Sequence, residues 1–139
     1  MFQQNLGLSQ VEEQNSRRRP DDAESSTRFK IHWSLIGKPW NFTTGDWQIS
    51  RVYAALNQPD LALTFAKKAL ETSQKHNLSE RLISAYEGMA RAHAVAREYP
   101  LAREFVSKAR EQLRAVSLDN ENRKTYSDQI DETERMIPK

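Results

Sequence analysis

The sequence predicts an all-α chain built from antiparallel helical hairpins, about five to six helices in all. Three observations carry this. From Thr43 onward the apolar residues recur at helical spacing, turn-forming residues interrupt them about every twenty positions, and the chain matches itself when shifted by 40. The matches pair Ala62 with Ala102, Phe65 with Phe105, Lys68 with Lys108, Ala69 with Ala109, Leu78 with Leu118 and Tyr86 with Tyr126. Paired alanines have a physical reason where helices cross, because small side chains let two axes approach closely.

Taken in order, residues 1–20 are rich in Gln, Asn, Ser and Arg and end in Arg17-Arg18-Arg19-Pro20. They lack the sustained apolar pattern that would offset ordering entropy, so they are expected to form a disordered tail. Residues 21–42 are read as an N-terminal half-repeat. Phe29, Ile31, Trp33 and Leu35 alternate as in a strand, yet Asp21 and Asp22 suit a helix start and Gly37 with Pro39 suits a stop. A helix over 21–36 is favoured, because a lone strand has no partner in a helical chain. A loop over 37–43 comes next, in which Trp40 and Phe42 pack down.

Residues 43–137 make the repeat domain. The first helix is assigned an inner face of Trp47, Ile49, Val52, Tyr53 and Leu56 after the capping residues Thr43-Thr44-Gly45-Asp46. Asn57-Gln58-Pro59-Asp60 reverses the chain, since Pro59 removes a helical hydrogen bond and Asp60 can cap the next helix. The second helix runs to His76 with Leu61, Ala62, Phe65, Ala66, Ala69, Leu70 and Ser73 inward. The third spans Glu80 to Arg97, with Leu82, Ile83, Tyr86, Met89, Ala90, His93 and Ala96 as core candidates. After Glu98-Tyr99-Pro100 a fourth buries Leu101, Ala102, Phe105, Val106, Ala109 and Leu113. Asp119 and Asn120 cap a last helix, whose Tyr126, Ile130, Thr133 and Ile137 share one face.

These residues resemble the tetratricopeptide family, whose hairpins follow W-x2-L-G-x2-Y, then A-x3-F, then a late Pro. Tyr86, Met89, Ala90 and His93 stand at the Trp, Leu, Gly and Tyr positions, and Ala102, Val106 and Ala109 continue the pattern. In the earlier copy Ile49, Ser50 and Tyr53, then Ala62, Ala66 and Ala69, do the same. Asp46 stands at the Trp position there, with Trp47 one residue late, and Gln74 and Arg114 replace the late Pro. The chain is also similar to bacterial repeat proteins carrying phrases such as GDWQISRVYAAL and AYEGMARAHAVA. The resemblance implies an α-α superhelix whose first helices line a concave groove. It places Trp47, Arg51, Glu87, Arg91, Lys124 and Asp131 in that groove, where two arginines and a lysine would receive a carboxylate or phosphate of a bound peptide or helix. The alternative for the same residues is ion pairing with Glu87 or Asp131 on a solvated face. Residues 21–36 would then be half of an earlier hairpin, leaving Phe29 and Trp33 as contacts of a homodimer.

Composition excludes several functions. With no cysteine, neither a disulfide framework nor a thiolate site or nucleophile is possible. The 21 basic and 19 acidic residues give a mixed surface rather than a nucleic-acid field, so RNA binding through Arg17–Arg19 is a lesser alternative. His32, His76 and His93 lie at no metal-ligand spacing, the four glycines are scattered singly, and no nucleophile–base pairing is visible. The expectation is a non-enzymatic, cofactor-free, cytoplasmic interaction module without a membrane span, its partner protein unspecified.

Overall fold

The structure, a computed structural model, describes residues 38–139. The expected tail over 1–20 and element over 21–36, with Phe29 and Trp33, lie outside them. Five helices and no strand occur among the described residues: α1 (Lys38–Ala55), α2 (Pro59–Lys75), α3 (Ser79–Val95), α4 (Tyr99–Ala115) and α5 (Asn120–Glu134). Residues Pro39–Lys139 form one compact unit.

The turns set the period. Asn57, Asn77 and Arg97 each adopt a left-handed backbone, with φ of 58°, 54° and 63°. Each closes the preceding helix with the same pair of hydrogen bonds, which cap carbonyls that a helix end otherwise leaves open. Asn57 N–H donates to Ala54 O at 3.0 Å and Gln58 N–H to Tyr53 O at 2.9 Å, and the pattern recurs at Asn77–Leu78 and Arg97–Glu98. The next helix begins two residues later each time. Pro59 and Pro100 sit in first turns, where a missing N–H leaves no bond unmade. The fourth connection departs from this: Val116 is extended, and Asp119 caps α5 through Asn122 N–H at 2.8 Å.

Helices α2 and α4 bury the small-residue stripes expected of them: Ala62, Ala66, Ala69 and Ser73 in one, Ala102, Val106, Ala109 and Leu113 in the other. Leu61 and Leu101, expected inward, are exposed. Tyr126, Ile130, Thr133 and Ile137 are buried as their spacing predicts. Helix α3 is central. It carries buried residues around its whole circumference, among them Ile83, Ala85, Met89, Ala90, Ala92 and Ala94, because α2, α4 and α5 all pack on it. His93 fills a core position, its ring stacked on Phe105 at 5.6 Å, with Nδ1 2.7 Å from the Glu98 carboxylate.

Two expectations for α1 are corrected. The helix starts at Lys38 and absorbs the segment read as a loop, Pro39 lying in its first turn rather than after a stop. Phe42, expected to pack down, is 55% exposed. The inner face also differs: Pro39, Thr43, Ser50 and Ala54 are buried, whereas Ile49, Val52 and Leu56 are 40%, 57% and 59% exposed. A buried serine is tolerated because its hydroxyl donates to Ala62 O at 2.7 Å, where α1 and α2 cross. Tyr53 stacks on Phe65 beside it, at 5.8 Å.

Among the three left-handed turn residues Arg97 alone is not asparagine, and a side chain without asparagine's short polar group costs ~1–2 kcal/mol in that region. Replacing Arg97 with Gly is expected to raise the unfolding free energy by ~0.5–1 kcal/mol after the entropic cost of glycine is counted. Urea denaturation checks this; an unchanged midpoint would show that the arginine side chain offsets its own strain.

Candidate functional site

The first helix of each hairpin, α1, α3 and α5, contributes to one buried polar cluster centred on Glu87, which is 2% exposed. Its carboxylate accepts from Trp47 Nε1 on α1 at 2.7 Å, from Arg91 Nε one turn along α3 at 2.9 Å, and from the Thr133 hydroxyl on α5. Arg91 Nη2 adds an ion pair at 2.8 Å, with Glu132 farther off at 3.9 Å. Three donors on three helices, with one further ion-pair contact, thus surround one carboxylate.

Small residues make this geometry possible. A Cβ at position 88 would lie 3.2 Å from Trp47 Cδ1 and 3.6 Å from the Ala66 methyl, so Gly88 leaves the space in which the indole reaches Glu87. On its outer side the same indole carries Arg51, whose guanidinium carbon stands 5.1 Å from the ring centroid, within the range of a cation–π contact. Arg51 has no carboxylate within ion-pair distance among the described residues.

A second polar cluster ties the same three helices one layer away. The Arg81 guanidinium lies between Trp40 (4.3 Å) and Tyr126 (5.6 Å) and donates to the Thr44 hydroxyl at 3.2 Å and to the Tyr126 oxygen. Tyr126 in turn donates to Glu80. Burial first, and then this hydrogen bond, push the phenol up to about 12, so it stays a neutral donor at any physiological pH.

Of the six residues expected in a groove, the structure brings Trp47, Arg51, Glu87 and Arg91 together, with Glu87 and Arg91 buried against each other. Lys124 and Asp131 are engaged elsewhere. Lys124 pairs with Asp128 at 2.8 Å on the exposed side of α5, and Asp131 pairs with Arg110 of α4 at 2.8 Å. The latter pair lines a cleft of about 850 Å³ between α4 and the chain end, where Arg103 donates to Pro138 O at 3.1 Å. Thr133, Arg81 and Trp40 also take part, although spacing does not mark them as site residues. The 40-residue shift relates position 47 to 87, but contacts from α3 to α5 run at offsets of 45 and 46, which a 40-residue comparison cannot reveal.

No family model, curated protein or solved structure matches this chain. No helix among the described residues is long and apolar enough to cross a membrane.

The electrostatics give two expected outcomes. Glu87→Ala removes the partner of a buried Arg91 and is expected to cost ~3–5 kcal/mol, measured by denaturant unfolding; a loss below ~1 kcal/mol would mean that water already serves Arg91. Asp46 on α1 is a separate case: burial pushes its carboxyl up to about 6, Lys68 of α2 pulling only part-way back. A folded pKa above the unfolded value means the native state binds the extra proton between about 4 and 6. Stability from this group therefore falls as pH rises through that window. Asp46→Asn is expected to remove that slope and to stabilise the protein at pH 7 by ~1 kcal/mol, the full shift being discounted for partial solvent screening. Parallel melts of the two proteins at pH 4.5 and 7 decide it.

Proposed function

We propose that the chain is a non-enzymatic, tetratricopeptide-like interaction module that binds a peptide or helix along the row of its first helices. The observation that carries this reading is the state of Arg51. The neighbouring polar side chains Trp47, Glu87, Arg91 and Thr133 are committed to one another, while Arg51 sits half-buried on the Trp47 ring with its charge unpaired. A guanidinium held over an indole has lost part of its freedom before a ligand arrives, and its donors remain free for bidentate bonding to a carboxylate.

The reading differs from an open trough of several cations. Arg91 is neutralised by Glu87, so its contribution is to fix Trp47, and through Trp47 the platform under Arg51. The bound group is accordingly a single carboxylate of a protein partner, an acidic side chain or a chain terminus, with apolar contact from the indole.

Peptide arrays offering acidic side chains and free C-termini, read against the full chain, test this. Arg51→Glu is expected to weaken the selected peptides at least about tenfold, as loss of one charge-assisted contact and its reversal would. Lys124→Glu, on the exposed side of α5, is expected to leave them within about twofold. Equal losses for both variants, or none for Arg51→Glu, would dismiss the site.

A further inference from the structure

Arg91 is buried, yet the outer edge of its guanidinium is poorly served. Glu87 takes the Nε donor at 2.9 Å and stands 2.8 Å from Nη2, which makes no hydrogen bond among the described residues although it is shut off from water. The remaining amine, Nη1, has one acceptor among the described residues, the Met136 sulfur at 4.0 Å. A thioether is a weak acceptor, so this charged donor receives much less than an oxygen would give it.

The sulfur is held in place and still open to reagents. Met136 lies just beyond α5, its N–H donating to Thr133 O at 3.0 Å, and the next residue, Ile137, is buried and bonds to Glu134 O at 3.0 Å. Met136 is 38% exposed, whereas Met89, on α3, is 4% exposed. With no cysteine in the chain, methionine supplies all of its sulfur.

We propose that Met136 is a reversible oxidation site whose sulfoxide is captured by Arg91. The oxidant is a peroxide. The thioether sulfur gives an electron pair to one peroxide oxygen, the O–O bond breaks, that oxygen stays on sulfur, and with hydrogen peroxide the other leaves as water. The sulfur is oxidised, and the peroxide reduced, by that one electron pair. The sulfoxide oxygen is a strong acceptor on a flexible side chain, and it reaches into the gap that separates sulfur from Nη1. Glu87 does not use Nη1, so the new bond adds to the buried cluster rather than competing with it. Oxidation here tightens the contact between α3 and the end of α5, the reverse of its usual effect on packed methionines. The site is separate from Arg51, and neither reading depends on the other.

Brief treatment of the folded full chain with dilute hydrogen peroxide, followed by peptide mapping and thermal melting, tests this. Met136 is expected to gain one oxygen at least about ten times faster than Met89, in line with their exposure. The melting midpoint is expected to rise by about 4 °C, as one added bond to a charged donor would raise it, and methionine sulfoxide reductases return it to its starting value. Met136→Leu keeps the apolar bulk and is expected to show no rise. That variant retains Met1, so a rise caused elsewhere would persist in it and overturn the proposal. A midpoint that stays level or falls while Met136 carries the oxygen also overturns it, as does oxidation of Met136 no faster than of Met89. Heteronuclear NMR of the arginine side chains gives an independent readout: the Arg91 N–H signals move on oxidation, and signals that stay in place count against the capture.

Discussion

A carboxylate with almost no access to water holds the row of first helices together. Burying Glu87 alone would be prohibitive, and the cost is offset only because Trp47, Arg91 and Thr133 all point their donors at it. Satisfying one charge therefore fixes α1, α3 and α5 relative to each other. Apolar packing alone would fix this less firmly, since alanine-lined contacts slide at little cost. The second cluster, with Arg81 between Trp40 and Tyr126, sets the same three helices at another height. Two polar layers specify a register as well as a separation, in the way a buried polar pair fixes the alignment of a coiled coil.

The apolar packing around these layers depends on small residues. Ala62 and Ala66 face α3, and Ala90, Ala94, Ala102 and Ala109 belong to the cluster shared by α3, α4 and α5. Such surfaces contribute less hydrophobic free energy per residue than leucine would, but they bring backbones close enough for the side chains of three helices to converge on one point. Gly88 is the extreme case: a methyl there would stand 3.2 Å from the Trp47 ring that reaches the carboxylate.

Much of this is legible in the sequence. The turns at Asn57, Asn77 and Arg97 can be placed because proline and asparagine mark them, and α2, α4 and α5 show their inner faces by ordinary spacing. Helix α1 misleads for two physical reasons. Gly37-Lys38-Pro39 has the composition of a stop, although proline suits a first turn as well as it suits the end of a helix. Hydrophobicity assigns its inner face wrongly, because the residues it buries include Thr43 and Ser50, and Ser50 is buried at no great cost when Ala62 O accepts its proton. Within the site, the resemblance puts Trp47, Arg51, Glu87 and Arg91 on one row, and the structure brings these four together. Lys124 and Asp131, placed beside them by the same resemblance, pair instead with Asp128 and Arg110, on a helix whose contacts with α3 run at offsets of 45 and 46 rather than 40.

That departure of α5 explains how the array ends. If α5 repeated the register of α3, the residues at 125, 129, 132 and 136 would face inward, and they are Thr, Gln, Glu and Met. The chain instead turns Tyr126, Ile130, Thr133 and Ile137 inward, so one face of α5 serves both α3 and α4. An extended Val116 and a side-chain cap at Asp119 replace the left-handed turn used three times before, and they admit this rotation. A helix that commits its only apolar face to the existing core has none left for another hairpin. The polar surface it then shows to solvent ends the array on that side.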